Sequence, residues 1–217
     1  MDLIVLYEDK DITICVKPKG IGSEDSPSEK GIIGLLSERA GKSLHLLHRL
    51  DRNVGGVMVF ANNKQSAATL SRDIAEGRFQ KEYLAVCDGT PQEDSGIFKD
   101  LLFKDSRKNR SYVVNRVRKG VKDASLEYTT LQKADSKAIV RVLLHTGRTH
   151  QIRVQFASRK LCLTGDIKYG SKDRTNCEIA LHSYRITFKH PTTKETLSFQ
   201  CEPDFESYPW NLFKGEI

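Results

Sequence analysis

The sequence predicts an α+β fold in which a mixed, mainly antiparallel β-sheet forms the core and a few helices flank it. Runs typical of strands outnumber runs typical of helices, and short turns join most of them, which favours antiparallel pairing. The chain has 217 residues, of which 38% are hydrophobic and 29% are charged. This size and composition are typical of a globular domain with a sizeable core, so we expect residues 1–217 to form a single domain.

The first part of the chain predicts a hairpin, a loop, a helix and a buried strand. Leu3–Tyr7 and Ile12–Lys17 are apolar runs separated by charged residues, a pattern typical of a β-hairpin. Residues 22–30 are rich in Ser and Glu and predict a loop. Ile32–Ala40 predicts a short helix, because the glycine that follows it is the usual residue just past a helix end. Val57–Ala61 is an unbroken apolar run and predicts a short buried strand.

The rest of the chain predicts further strands and two more helices. An asparagine cap precedes a helix expected over about Lys64–Glu76, and Phe79–Cys87 predicts a strand. Asp88–Gly96 is rich in turn residues, and a last helix containing Ile152 and Phe156 follows a glycine-containing turn. The other predicted strands are Tyr112–Val117, Ala124–Leu131, Ala138–Leu144, Ile179–Lys189 and Leu197–Cys201.

Charge and cysteine content restrict the possible functions. The formal net charge is +7 and the pI is about 9.1, and basic domains often bind nucleic acid because counterions leave the phosphates on association. The five cysteines are scattered without a CxxC pair, which argues against a zinc site and favours a reducing cytoplasm. No apolar run approaches the ~20 residues of a membrane span, and a strand-like segment stands where a signal peptide would begin.

Two polar turns interrupt apolar sequence and are the candidate reactive segments. The turn His48–Gly56 offers a carboxylate at Asp51, and the turn His145–Arg153 offers Arg148 and Arg153. A buried carboxylate needs a partner, and an arginine from the other turn would keep it ionised. We therefore predict a pair between Asp51 and Arg148. The alternative is that Asp51 only caps a surface turn and that each arginine binds phosphate.

Five segments with distinctive polar and glycine residues follow one another along the chain. They are Val16-Lys17-Pro18-Lys19-Gly20, His48-Arg49-Leu50-Asp51-Arg52 with Gly56, Lys81-Glu82-Tyr83-Leu84-Ala85, Thr146-Gly147-Arg148-Thr149-His150-Gln151-Ile152-Arg153, and Gly165-Asp166 with Tyr169-Gly170, Ala180-Leu181-His182-Ser183 and His190-Pro191. In this order they resemble the motifs of RNA pseudouridine synthases of the RluA type. The similarity runs from about residue 3 to residue 200 and implies the pseudouridine synthase fold. The resemblance covers the catalytic domain, and we expect no S4-like RNA-binding module, so substrate selection would come from this domain.

The resemblance implies an enzyme that isomerises uridine in RNA to pseudouridine without a cofactor. Asp51 would be the essential carboxylate, acting as a nucleophile or assisting removal of a ribose proton. Arg148 would pair with Asp51 and orient it. Tyr83 would lie against the uracil and serve in proton transfer, and Ile152 would pack on the other face of the base. Taken without the motifs, Tyr83 and Ile152 are ordinary core residues.

The resemblance also implies contacts to structured RNA, either ribosomal or transfer RNA. The uridine must leave its stack to be reached, which is easiest in loops and bulges. Arg49 would fill the gap left by the flipped base, and Lys17, Arg52 and Lys81 would contact phosphate. Further candidate phosphate contacts are Lys19, Lys104, Arg107, Lys108 and Arg110. We expect a cytoplasmic monomer that needs no obligate protein partner.

One departure from the family pattern leaves alternatives open. Val54-Gly55 stands where relatives usually have Thr-Ser, so the hydrogen bonds of those hydroxyls are lost. A non-catalytic RNA-binding module or RNA chaperone on the same fold is therefore the first alternative. A metal-dependent nuclease or phosphodiesterase that uses His45, His48 and Asp51 is a second, although no carboxylate cluster accompanies them.

Overall fold

A computed structural model of the protein describes residues 3–175 and 178–213. The chain divides into two compact units, one of residues 1–81 with 182–203 and the other of residues 82–181 with 204–217. The described residues form three α-helices, α1 (Ile32–Ala40), α2 (Lys64–Ala75) and α3 (Gln151–Ala157). They also form the strands β1 (Ile4–Glu8), β2 (Ile12–Lys17), β3 (His45–Leu46), β4 (Gly55–Ala61), β5 (Gln80–Asp88), β6 (Ser95–Asp105), β7 (Arg110–Val114), β8 (Val121–Ala134), β9 (Lys137–Leu144), β10 (Leu181–Lys189) and β11 (Thr196–Gln200).

The first unit contains the strand order β1-β2-β4-β10, with β3 paired to β4 and β11 paired to β10. Strands β4 and β10 are parallel, whereas the other pairings of this unit are antiparallel. All seven residues of β4 are buried, as expected of an unbroken apolar run. One hydrophobic core cluster of the unit consists of Ile12, Ile14, Val57, Val59, Leu70, Phe79, Ile186 and Phe188.

Both helices of the first unit agree with their sequence signals. Helix α1 ends at Gly41, whose φ of 64° is the left-handed conformation that glycine adopts without strain. Helix α2 begins after Asn63, whose side chain accepts a hydrogen bond from the Ser66 amide at 2.8 Å. That bond satisfies one of the amides left without a partner in the first turn.

The second unit contains the antiparallel order β5-β9-β8-β6-β7, with the chain divided between Lys81 and Glu82. The predicted mixed, mainly antiparallel sheet with few helices is therefore confirmed. Strand β6 was not expected, because Asp100 lies between Phe98 and Leu102 and interrupts the alternation that marks a strand. Arg159 compensates that carboxylate at 2.9 Å. Within the described ranges, no helix is long and apolar enough to cross a membrane.

Candidate functional site

The turn that carries Asp51 is held in place by its backbone. The Val54 amide donates to the Asp51 carbonyl at 3.0 Å, which closes the turn before β4. The next carbonyl, that of Arg52, accepts from the Gly20 amide at 2.9 Å and from the Lys17 ammonium at 3.1 Å. The Asp51 side chain therefore projects from a segment whose main chain is fixed on both sides.

Lys17 lies inside the protein and not on its surface. The residue is 0% exposed, and its ammonium donates to the carbonyls of Pro18 at 2.9 Å, Ile21 at 2.8 Å and Arg52 at 3.1 Å. Burial lowers the pKa of Lys17 to about 8, and the charge of Asp51 opposes that shift. The expectation that Lys17 contacts RNA phosphate is therefore wrong: its three donors bond to backbone carbonyls, one of which, that of Arg52, belongs to the Asp51 turn.

The glycines after Asp51 allow β4 to approach its neighbours closely. Gly56 has a φ of 118°, and a Cβ atom there would meet the Ser183 carbonyl oxygen at 2.2 Å. Only glycine fits this parallel approach to β10. A Cβ atom on Gly55 would lie 3.2 Å from the Lys17 carbonyl oxygen, and Val54 is 2% exposed. The turn is thus supported by backbone hydrogen bonds, by Lys17 and by the buried side chain of Val54.

The two arginines beside Asp51 are exposed. The side chains of Arg49 and Arg52 are each 57% exposed, a position compatible with the predicted RNA contacts. Arg49 Nη1 donates to Glu24 Oε2 at 2.7 Å, and the guanidinium of Arg52 binds both carboxylate oxygens of Glu29.

His48, which is half-buried, and Lys81, which is buried, both lie in the first unit. Burial lowers the pKa of His48 to about 3, with a smaller contribution from the charge of Lys81, and the Val59 amide donates to His48 Nε2 at 3.4 Å. Among the residues that the structure describes, His45, His48 and Asp51 do not form a group with the spacing of a metal site, so the geometry gives the metal-dependent alternative no support. Lys81 is 8% exposed and burial lowers its pKa, so it does not present a surface cation to phosphate as expected.

Tyr83 and Ile152 are buried in the second unit. Tyr83 is 6% exposed and lies opposite Val142 in the pairing of β5 with β9. Ile152 is 4% exposed and lies in the first turn of α3. Their burial agrees with rigid positions in the second unit. Asp51 belongs to the first unit, so its predicted meeting with Tyr83 and Ile152 stays a prediction.

Arg148 lies in a turn stabilised by the side chain of Gln151. Gln151 Oε1 accepts from the Arg148 amide at 3.0 Å and from the Thr146 hydroxyl at 2.7 Å. The Nε of Arg148 donates to the Asp123 carbonyl at 2.9 Å, and the side chain is half-buried. The predicted pair between Arg148 and Asp51 joins residues of different units and stays a prediction.

Arg153, the other arginine of this segment, is part of a buried ion pair that sequence reasoning did not predict. Its Nε and Nη2 donate to the two carboxylate oxygens of Asp166 at 2.7 and 2.9 Å. The guanidinium lies 5.0 Å from the ring centre of Tyr169, whose hydroxyl accepts from the Ser111 amide. The only signal for this pair was the Gly-Asp sequence of the last motif.

One group of side chains in residues 3–175 and 178–213 has the spacing of a metal site. Ligand atoms of Asp9, Asp11 and His190 lie within 4.8 Å of one another. They already bond within the protein: His190 Nδ1 accepts from the Thr193 amide, so Nε2 carries the proton and donates to Asp9 at 2.9 Å. The Thr192 hydroxyl donates to Asp11 at 2.7 Å. We interpret the group as a set of hydrogen bonds that links the turn between β1 and β2 to the turn between β10 and β11.

Known proteins are similar over most of the chain. The model of a family described as RNA pseudouridylate synthase matches residues 11–158. An uncharacterised RNA pseudouridine synthase of Aquifex aeolicus is 32% identical over 95% of this chain and 72% of its own. Ribosomal large subunit pseudouridine synthase C of Pasteurella multocida is 31% identical over 93% of this chain and 65% of its own. The chain thus spans about two thirds of the length of these relatives.

Solved structures give the same result for the fold. Human RNA pseudouridylate synthase domain containing 1 matches with a TM-score of 0.78 and 23% identity, over 96% of this chain and 86% of that one. Human RNA pseudouridylate synthase domain containing 4 matches with a TM-score of 0.76 and 22% identity, over 93% and 89%. The predicted pseudouridine synthase fold is confirmed, and this chain belongs to the RNA pseudouridylate synthase family.

Proposed function

We propose that this protein converts uridine in ribosomal RNA to pseudouridine and that Asp51 is its essential carboxylate. The observation that carries the proposal is the fixed Asp51 turn, which holds a single carboxylate between two exposed arginines in a chain of this family. The base is a uridine in structured RNA. The relative from Pasteurella multocida is named for the large ribosomal subunit, which favours ribosomal over transfer RNA.

The reaction rearranges bonds without a change in oxidation state. The bond from the ribose to N1 of uracil breaks, the base turns, and a bond from the ribose to C5 forms. C5 loses its proton and N1 gains one, so atoms balance within the isomerisation. Asp51 either attacks the ribose or assists removal of a ribose proton, and both roles need a carboxylate held at a fixed position.

An arginine from the Arg148–Arg153 segment would pair with Asp51 in the proposed site. Arg148 is our first candidate, because Arg153 already forms a bidentate pair with Asp166. A guanidinium partner would orient the carboxylate through charge-assisted hydrogen bonds. We further propose that Tyr83 and Ile152 hold the flipped uracil, and that Tyr83 acts in the proton transfer between C5 and N1.

The RNA would bind a strongly basic segment in addition to Arg49 and Arg52. Residues 104–123 contain eight Lys and Arg residues but only two Asp, which accounts for most of the net charge of +7. Arg118 lies 4.7 Å from the ring centre of Phe103, and Arg110 lies 5.6 Å from that of Tyr112. Cations interleaved with aromatic rings favour a nucleic-acid surface.

The proposed setting is the cytoplasm, where the protein acts as a monomer on RNA. Four cysteines in the part of the chain that the structure describes are free thiols, which agrees with a reducing compartment. Size-exclusion chromatography at working concentration tests the monomer.

The test is a pseudouridine map of RNA from cells that lack the gene. We expect incubation with wild-type protein to restore a pseudouridine, detected by carbodiimide primer extension, and Asp51→Asn to abolish it while RNA binding persists. Asp94→Asn, at an exposed carboxylate paired with Lys133, is the matched control and should retain activity. Full activity of Asp51→Asn would refute the proposed chemistry. Complementation of a deletion by that variant would favour the non-catalytic RNA-binding alternative.

A further inference from the structure

An acidic loop lies against the Asp51 turn. We define the acidic loop as residues 22–31, which contain Glu24, Asp25 and Glu29. Its start is tied to the turn by a reciprocal bond: the Ser23 hydroxyl accepts from the Leu50 amide at 2.9 Å and donates to the Leu50 carbonyl at 2.8 Å. The start of the loop is therefore bonded to Leu50, the residue that precedes Asp51.

The other end of the acidic loop is anchored as well. The Ile32 amide donates to the Gly22 carbonyl at 2.8 Å, and the Gly31 amide donates to Asp25 Oδ1 at 2.8 Å. Between these bonds the Ser26 amide donates to the Glu29 carbonyl at 2.9 Å. The loop is therefore a closed, internally bonded element that keeps its carboxylates beside the turn.

The two glutamates of the loop bind the two arginines that flank Asp51. Glu24 pairs with Arg49 at 2.7 Å, and Glu29 forms a bidentate pair with Arg52. Both arginines are more than half exposed. Carboxylate and phosphate are recognised by the same guanidinium fork, so a phosphate that takes the N–H groups now bonded to glutamate must replace that glutamate.

We propose that Glu24 and Glu29 are specificity-determining residues, which occupy Arg49 and Arg52 until an RNA engages both arginines, Arg52 through a phosphate and Arg49 through a phosphate or the gap left by the flipped base. The inference rests on the proposed function, because it assumes that RNA binds at the Asp51 turn. Exposed ion pairs are individually weak, so a correctly placed phosphate can replace each glutamate. Since the loop is anchored, its carboxylates keep a high effective concentration and compete with phosphates that are offered singly. An RNA that contacts only one of the two arginines therefore gains little binding free energy from that contact.

The test compares two double variants of the full chain with equal charge change. Glu24→Gln with Glu29→Gln removes the competing carboxylates, whereas Glu8→Gln with Glu76→Gln removes two exposed pairs, with Arg39 and Arg78, outside the acidic loop and the Asp51 turn. Dissociation constants are measured by fluorescence anisotropy for a uridine-loop RNA stem-loop and for single-stranded oligouridylate. We expect the loop variant to bind oligouridylate about two- to tenfold more tightly than the control variant does, with a smaller gain for the stem-loop.

A double-mutant cycle separates competition for the arginines from general repulsion of RNA. In an Arg49→Ala and Arg52→Ala background, the loop substitutions should change affinity no more than the control substitutions. Equal effects of the two pairs of glutamine substitutions in the wild-type background would overturn the inference while leaving the proposed function intact. A wild-type protein that neither binds the stem-loop nor forms pseudouridine would overturn the proposed function, and this inference with it.

Discussion

The buried ammonium of Lys17 predicts a pH dependence of folding stability that a surface lysine would not produce. Burial lowers the pKa of Lys17 from 10.5 to about 8, which corresponds to about 3 kcal/mol between its two protonation states. Because the folded-state pKa lies below the unfolded one, the charged form costs stability below pH 8. That cost is relieved as the pH rises from about 8 to about 10.5, where the unfolded chain holds the proton and the folded chain releases it.

Lys17→Met removes this titration and is the perturbation that tests it. Between about pH 7.5 and about pH 9.5, the free energy of unfolding of wild type, measured in urea, should rise by about 2 kcal/mol relative to that of the variant, which is more than half of the total change expected from Lys17. Burial also raises the pKa of the Cys15 thiol to about 12, which lowers stability above pH 9. Because Cys15 is present in both proteins, its effect largely cancels in the difference.

Two further variants make the result specific to the buried ammonium. Lys17→Arg keeps a charge that does not titrate in this range. The free energy of unfolding of wild type should therefore rise with pH relative to Lys17→Arg by as much as it rises relative to Lys17→Met. Lys42→Met changes an exposed lysine, so the difference in free energy of unfolding between this variant and wild type should be the same at both pH values. A wild-type advantage over Lys17→Met that stays constant with pH would refute the assignment of Lys17 as a buried, titrating support of the Asp51 turn.

The remaining predictions concern the second unit. Arg148→Met should lower the rate of pseudouridine formation about 10- to 100-fold in a single-turnover assay, the loss expected for a charge-assisted hydrogen bond, with little change in urea stability. Arg153→Met breaks a buried bidentate pair and should cost about 3–5 kcal/mol in urea unfolding; a stable but inactive Arg153→Met would instead make Arg153 the partner of Asp51. Replacing Lys108 and Lys119 by Ala should reduce the slope of log affinity against log salt by about 0.7 for each phosphate of single-stranded RNA that the variant no longer neutralises, and an unchanged slope would place the RNA elsewhere.

Local sequence signals were sufficient where one segment determines its own structure. The unbroken apolar run of β4, the asparagine cap of α2 and the glycine after α1 each act through neighbouring residues. The same signals failed for β6, because Asp100 occupies an inward position where its carboxylate is bound by Gln155 and Arg159, which lie fifty-five and fifty-nine residues away in the sequence. The local sequence does not show that distant residues bind this carboxylate, so an aspartate within the strand wrongly predicts that the strand ends there.

For the charged functional residues, too, the sequence located the residue but did not predict its partners. The motif located Lys17, but its type predicted an exposed phosphate contact, since lysine is almost never fully buried without partners. Its partners are the backbone carbonyls of Pro18, Ile21 and Arg52, which carry no sequence signal because every residue has one. The pair of Arg153 with Asp166 was missed for a related reason: both residues stand in family motifs, but only the fold brings them together.

Three cations belong to the Asp51 turn or bond to its backbone, and their environments divide them into two kinds. Lys17 is fully buried and bonded to carbonyls that no ligand can replace, so it fixes the turn in every state of the enzyme. Arg49 and Arg52 are exposed and bonded to carboxylates that phosphate can replace. Only exchangeable partners can respond to RNA, because an interaction that is the same with and without the ligand shifts no equilibrium. Substitution of Lys17 should therefore change stability and catalysis by an RNA-independent factor, whereas substitution of Glu24 or Glu29 should change discrimination among RNAs.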